Sequence, residues 1–348
     1  MAKTRIAFAL GTTALRTQIS SVVARLRERK DMHVRTIRTR DLSRSDVAMD
    51  NRIGRAKLAQ QAREIFNDAD LVITGVRTAP GRYGLIEAAI ETAPGALMMY
   101  QDESNVFAQV QPQTSRAVYL TIDEKARDAA LKNNFNAYAV GRPQYDAYSK
   151  LDITGLTRRF RATLPLMAQN KKIIVFYGEN LDTPGYKNFV SSLVDVIARN
   201  PNVFLVYRGP YTPQLTHMFD ASLGGRWATD RHASPYPSMA GGDQHVAYTH
   251  SVLNDIIMLN AWSMVSLGVP VSGASCGGIK YPWLTQRGGW PCNDLALLEQ
   301  GILGNFGDNA RHYAWVNARS LVGDRKPAGE RIEILAETLV STMPRARF

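Results

Sequence analysis

Two acids stand where an apolar run gives out: Ala96-Leu97-Met98-Met99-Tyr100 leads into Gln101-Asp102-Glu103. A carboxylate just past the carboxyl end of a parallel strand can take a proton from an attacking hydroxyl. Asp102 directly follows the strand and is the first candidate for such a base, with Glu103 second; capping the next turn is the alternative use of an Asp here. Gly11-Thr12-Thr13 closes the first apolar run and resembles half of a phosphate-binding turn, although strand-to-helix punctuation explains it equally well. His250-Ser251 stands where a helix begins; Ser251 is a good N-cap, and helix N-termini bind phosphate.

Other constellations exclude chemistry. There is no G-x-G-x-x-G and no G-x-x-x-x-G-K-[ST], which argues against a dinucleotide oxidoreductase and a P-loop enzyme. His217, His232, His245 and His250 lie close in sequence, but their spacings match no compact zinc pattern, and loop positions are expected for them. The two cysteines, Cys276 and Cys292, support neither a disulfide scaffold nor a four-cysteine metal site. Ser272 to Gly278 is a small-residue loop that admits a ligand close to backbone amides, or is an ordinary turn.

Charge points to an anionic partner. The formal net charge is +11, and between Arg25 and Arg63 twelve Lys/Arg face five Asp/Glu, so a local excess of seven sits in one segment. Such a concentration suits a polyanion, whose neutralised phosphates release counterions; a solvated helix face is the plainer alternative. Arginine dominates the segment, which favours bidentate phosphate contact. Arg38, Arg40, Arg44, Arg52 and Arg55, with Arg77 and Arg82 further on, are the candidate contacts to the phosphates of such a partner.

The elements that must position these residues alternate. Strands are expected at 4–10, 33–37, 70–75, 96–100, 117–120 and 137–140, separated by helices at 14–29, 53–66, 83–91 and 124–133. The same grammar restarts with a strand at 171–177, a turn at Gly178-Glu179-Asn180, a helix at 185–199 and a strand at 203–207. The stretch 212–247, rich in Gly, Pro, Ser and aromatics, is expected to be mostly loop and short elements. A helix over 251–267, a strand at 269–271 and a last helix over 330–342 follow. Single helices between strands imply parallel, doubly wound α/β sheets. A length of 348 residues suggests two domains. The N-terminal apolar run is short and ends in Gly-Thr-Thr, so it reads as a strand rather than a signal peptide, and no run approaches a membrane span. A soluble cytoplasmic protein is expected.

The order of these pieces resembles the two-domain GT-B glycosyltransferases, and among them the T-even phage DNA β-glucosyltransferases. Tyr100-Gln101-Asp102 with Val106-Phe107 resembles the strand end that carries that family's aspartate base. Ile173 to Gly178 resembles the strand opening its nucleotide domain, Phe204 to Gly209 the next strand, and Asn254 to Met264 its donor helix with the tryptophan retained. Asn305-Phe306 through Arg311-His312-Tyr313 is similar to its closing segment. The resemblance implies two Rossmann-like domains facing a central cleft: 1–160 for the acceptor or DNA, 161–327 for the nucleotide sugar, and a helix in 328–348 packing back on the first. It implies a UDP-sugar donor such as UDP-glucose, contacted by Gly11, Thr12, Gly178, Glu179, Tyr207, Arg208, Gly209, His250, Ser251, Asn260 and Ser263. The donor helix departs from the family, which has an arginine and a glutamate where this chain has Asn260 and Ser263; Arg208 or Arg287 are the substitutes for the missing charge.

The implied reaction moves a sugar to a hydroxyl on a modified base in duplex DNA, with Asp102 or Glu103 as base and the target nucleotide flipped from the stack. The partner would be double-stranded DNA carrying a hydroxymethylated base, in host cytoplasm for a phage protein, and the enzyme a monomer. A divalent ion on the leaving diphosphate is compatible with this chemistry, but the sequence marks no ligands for one. A GT-B transferase or sugar-nucleotide 2-epimerase acting on small or envelope acceptors is the alternative, and a non-catalytic nucleic-acid-binding protein on a degenerate GT-B fold the second.

Overall fold

A computed structural model describes residues 3–11, 13–38, 52–76, 85–101, 116–248, 252–263, 270–273, 290–292, 295–304 and 326–342, and the elements below are drawn from these. The chain divides into two compact units, Met1–Ala147 with Asp324–Phe348, and Tyr148–Gly323.

In the first unit, strand alternation sets which residues meet which helices. Ile6, Phe8 and Leu10 of β1 (Thr4–Leu10) bury against Leu15, Ile19, Val22 and Leu26 of α1 (Thr13–Glu28). Ala7 and Ala9 face the other way and share a core with Ala62 and Phe66 of α2 (Arg52–Phe66); the small strand residues leave room for the large ring. The remaining elements are β2 (Met32–Arg38), β3 (Leu71–Gly75), α3 (Leu85–Thr92), β4 (Ala96–Tyr100), β5 (Ala117–Thr121), α4 (Glu124–Lys132) and β6 (Ala137–Ala139). The sheet is parallel throughout, in the order β2-β1-β3-β4-β5-β6, and its strands read as near-continuous apolar runs because both faces are covered.

The second unit begins with α5 (Ile153–Ala162), which packs on α8 (Tyr236–Gly241). Between and after them come β7 (Lys172–Tyr177), α6 (Tyr186–Arg199), β8 (Val203–Arg208), α7 (Pro213–Leu223), β9 (Trp227–Thr229), β10 (Gln244–Ala247), α9 (Val252–Ser263), β11 (Val271–Ser272), β12 (Trp290–Pro291) and α10 (Leu295–Leu303). This sheet is also parallel, in the order β12-β11-β10-β7-β8-β9, the arrangement of a dinucleotide-type fold. Ile174 and Phe176 point into a core with Phe189, Leu193 and Ile197 of α6 and Leu298 and Ile302 of α10. On the other face Val175 lies against Gly242, where a Cβ would come within 2.6 Å of its Cγ2.

The chain then returns to the first unit as α11 (Ala328–Thr342), whose Ile332 and Ala336 join the core beside α1. Arg25 and Arg29 pair with Glu333, both at 2.9 Å, and Arg29 also with Glu337. The carboxylate of Asp146 accepts from the Ala328 and Gly329 N–H groups at 2.8 Å each, capping the helix from across the chain. Burial is the main influence on that carboxyl and holds it above its ordinary range, against these two hydrogen bonds and Arg25.

Over 212–247, expected to be mostly loop and short elements, β9, α8 and β10 are short, and the helix α7 is the departure. Thr212 accepts from Leu215 N–H as N-cap, Pro213 takes the first turn, and Gly224 ends α7 in the left-handed region at φ +56°. Gln244-His245-Val246-Ala247 is a central strand buried on both sides. The expectation of loop positions for the histidines changes with it: His217 lies on α7 and His245, wholly buried, within β10.

Candidate functional site

A parallel sheet of this kind builds its sites outside the carboxyl ends of its strands, where the strand order reverses. In the second unit the reversal falls between β7 and β10, and a cleft of about 790 Å³ opens there. Its walls are the residues that follow β7 (Gly178, Glu179, Asn180), β8 (Gly209, Pro210) and β9 (Asp230, Arg231, His232), with Val252 and Asp255 of the first turn of α9. The volume is that of a cofactor or nucleotide pocket.

The floor is made by glycines because nothing larger fits. A Cβ on Gly178 would stand 2.6 Å from Tyr207 Cζ, and one on Gly209 would stand 2.7 Å from both Gly178 Cα and the Tyr207 hydroxyl. Gly178 N–H donates to the Arg208 carbonyl at 2.8 Å, which draws the two strand ends together. Tyr207 lies beneath them, its hydroxyl donating to the Pro210 carbonyl at 2.8 Å; burial pushes that phenol up to about 12, so it remains a neutral donor. Tyr186 accepts from Glu179 N–H at 3.0 Å, and burial raises its phenol as well. The turn is therefore preorganised from below by two tyrosines.

The wall after β9 is held by one carboxylate. The side chain of Asp230 is 0% exposed; it accepts from Arg208 Nη1 at 2.8 Å, from His232 N–H at 3.0 Å and from His232 Nδ1 at 2.7 Å. Burial alone would raise its pKa, but the His232 and Arg208 contacts outweigh it and hold the carboxyl below its ordinary range. A carboxylate only accepts, so the proton of His232 is on Nδ1 in the neutral ring and Nε2 is the acceptor nitrogen. Arg208 also donates to the His232 carbonyl at 2.8 Å, so its charge is committed to this strap. Arg231 differs: it is exposed, lines the cleft, and makes no hydrogen bond or ion pair among the described residues.

The structure brings together Gly178, Glu179, Arg208 and Gly209 around the cleft, with Tyr207 behind them. Gly11 directly follows β1 in the first unit. Asn260 is buried within α9 at 7% exposure, and Ser263 is the last residue of that helix. Arg38 ends β2 half-buried, while Arg52 and Arg55 stand on α2. Gln101 is buried and its side-chain oxygen accepts from Ile122 N–H at 3.1 Å. Asp102 and Glu103 after it lie outside the described residues, as do Thr12, Arg40, Arg44, Arg77, Arg82, His250, Ser251 and Arg287. Within the basic segment Arg25, Arg29 and Arg35 are ion-paired, the last with Asp68.

Sequence reasoning assigned no role to Asp230, Arg231 or Asp255 and gave His232 only a loop position, which it has. The signal for Asp230 was the one applied to Asp102, an acid directly after a strand, but β9 is only three residues long. Among the described residues no group of three His, Cys, Asp or Glu side chains converges to hold a metal, and no helix is long and apolar enough to cross a membrane.

No family model matches the chain, and no curated protein sequence does. Solved structures match over its whole length. A UDP-N-acetylglucosamine 2-epimerase aligns at TM-score 0.64 and 13% identity, covering 100% of both chains. The UDP-GlcNAc 2-epimerase of Neisseria meningitidis, solved with UDP-GlcNAc bound, aligns at 0.61 and 13%, covering 97% of this chain and 100% of that one. A glycosyltransferase from Rickettsia africae ESF-5 aligns at 0.65 and 12%, covering 99% and 100%. The fold is the GT-B type that such epimerases and glycosyltransferases share, two Rossmann-like parallel-sheet domains. At these identities the likeness concerns the fold alone.

Proposed function

We propose that the chain is an enzyme acting on a UDP-sugar, a GT-B transferase or sugar-nucleotide 2-epimerase whose acceptor or product is a small or envelope sugar. The observation that carries this is the cleft at the strand-order reversal, with a glycine floor, one uncommitted cation and one acid on the first turn of α9. Gly178 and Gly209 let a ligand approach backbone closely, Arg231 meets the diphosphate, and Asp255 accepts from ribose hydroxyls. Arg231 and the N–H groups of the first turn of α9 meet the negative charge that develops as the bond from the sugar's anomeric carbon to the diphosphate breaks, and His232, oriented by Asp230, offers Nε2 as a hydrogen-bond acceptor. The ligands of the fold's neighbours favour the uridine form: one such protein was solved with UDP-GlcNAc, another, HepE of Anabaena, with UDP and glucose.

The local excess of positive charge between Arg25 and Arg63 is the observation behind a second acceptor, duplex DNA with a hydroxymethylated base and Asp102 as base. Ion pairing of Arg25, Arg29 and Arg35 reduces the charge available for that role. One experiment separates the readings. The protein is incubated in D2O with UDP-glucose and UDP-GlcNAc, alone, with small acceptors, or with hydroxymethylated duplex, and products are followed by NMR and mass. Deuterium at C2 identifies an epimerase, mass gain on a small acceptor a transferase, and mass gain on the duplex the DNA-modifying reading. No turnover of either UDP-sugar in any arm contradicts the proposal.

A further inference from the structure

A second cavity, of about 480 Å³, lies on the other side of the strap Asp230-Arg231-His232. Phe160 and Leu164, at and beyond the end of α5, form its apolar wall together with Val206 of β8, and Trp227 of the edge strand β9 borders it. The Trp227 indole itself turns to the opposite face of the sheet, its Nε1 donating to Asp220 at 2.9 Å and its ring 5.1 Å from that of Phe219, so Val206 and its neighbour Ala228 form the sheet side of the cavity. The polar end is electrostatically lopsided. The Asp230 carboxylate in this wall is already satisfied by Arg208 and His232, so the charge left uncommitted is that of Arg231. Beyond Leu164 the apolar surface continues outward: Leu166 is 81% and Met167 47% exposed, and Met167 Sδ lies 4.0 Å from where a Cβ on Gly225 would sit, two residues before Trp227.

From an apolar cavity walled by Phe160, Leu164, Val206 and Ala228, one free cation at its polar end and an exposed apolar lip, we infer a second ligand site that takes a small amphipathic anion. An acyl or aryl body packs against Phe160, Val206 and Ala228, and a carboxylate or phosphate head meets Arg231. The site is separate from the UDP-sugar cleft but shares Arg231 with it. One guanidinium serves one anion at a time, so the two ligands oppose each other; this coupling alone rests on the proposed function.

The test is a fluorescence titration of the full chain with 8-anilinonaphthalene-1-sulfonate, followed by displacement with octanoate, octyl phosphate, 1-octanol or inorganic phosphate. One dye per chain is expected. Octanoate or octyl phosphate should displace it at concentrations at least tenfold below those needed of octanol, the better of the two naming the head group, and inorganic phosphate should not displace it. Ala228→Phe, which fills the cavity, should weaken dye binding at least tenfold in a chain with unchanged circular dichroism. Arg231→Gln, at an exposed side chain, should weaken the dye, itself an aryl anion, and abolish the advantage of octanoate and octyl phosphate over octanol. Undiminished dye binding by folded A228F, equal displacement by octanol, or displacement by inorganic phosphate alone overturns the site. For the coupling, octanoate should raise the Kd of UDP in the unmodified chain and leave it unchanged in R231Q; an unchanged Kd in both overturns it. A chain that binds no UDP yet passes the dye arms defeats the UDP-sugar reading and leaves this site standing.

Discussion

Asp230 shows how a single residue can set the shape of the cleft wall. It is fully buried and carries its charge only because Arg208 and His232 meet it, so removing the charge leaves Arg208 without its counterion. Asp230→Asn should destabilise the fold by about 3–5 kcal/mol, the cost typical of breaking a buried pair. The pH dependence has a definite sign. The folded carboxyl lies below its ordinary value, so its contribution is complete above the unfolded value of about 3.9 and fades as pH falls toward the folded one. Denaturant titrations at pH 6 and pH 3 should therefore show a smaller loss of stability on acidification in D230N than in the unmodified chain; an equal loss would remove Asp230 from the acid response. The floor makes a steric prediction. Gly178→Ala should cost about 1–3 kcal/mol through overpacking on Tyr207 and weaken nucleotide binding, and the same substitution made in a Tyr207→Ala background should cost less of both. An equal cost in the two backgrounds would mean the tyrosine is not what excludes a side chain at 178.

Among the elements, the return of α11 to the first unit depends on Asp146 more than on its surface ion pairs. Arg25–Glu333 and Arg29–Glu333 are partly exposed and each worth about 0–1 kcal/mol. The Asp146 cap satisfies two helix N–H groups from inside the fold, and Asp146→Ala should cost about 1 kcal/mol, as losing an N-cap does. Burial raises this carboxyl, so its titration favours the fold most below the unfolded value of about 3.9 and less as pH rises through the folded one. Asp146→Asn, which retains one acceptor, should lose less than the alanine variant and flatten that part of the stability profile. A D146N profile parallel to the unmodified one would contradict it. Which elements the sequence disclosed follows from how each is buried. The run from Ile6 to Leu10 and the heptad-like spacing on α1 leave an apolar pattern that needs no tertiary knowledge. β10 leaves none, since Gln244 and His245 are polar yet buried at 1% and 0% and the strand exists because its neighbours pair with it. α7 was legible in principle, because Thr212-Pro213 and Gly224-Gly225 are its start and stop signals, but an aromatic- and glycine-rich context obscured them.

At the scale of the whole molecule, the repeated βα grammar was enough to expect two doubly wound units, because parallel strands need crossover helices and those leave a readable alternation. The cleft was only partly readable. Gly178 and Arg208-Gly209 follow long strands and stood out; Asp230 to His232 follow a three-residue edge strand that only the sheet order makes meaningful. Net charge suggested a polyanion, yet ion pairing of part of the basic segment shows why charge counted along a chain overstates what a partner can meet. The central claim is that the second unit binds a UDP-sugar through its diphosphate at this cleft. Calorimetric titration with UDP, UDP-GlcNAc and uridine, on the unmodified chain and on Arg231→Gln, tests it most directly. The account predicts one site per chain, UDP at least tenfold tighter than uridine, a gap of about 1.4 kcal/mol or more, and loss of most of that gap in R231Q. Equal binding of UDP and uridine, or no binding of UDP or UDP-GlcNAc at millimolar concentration, would contradict it.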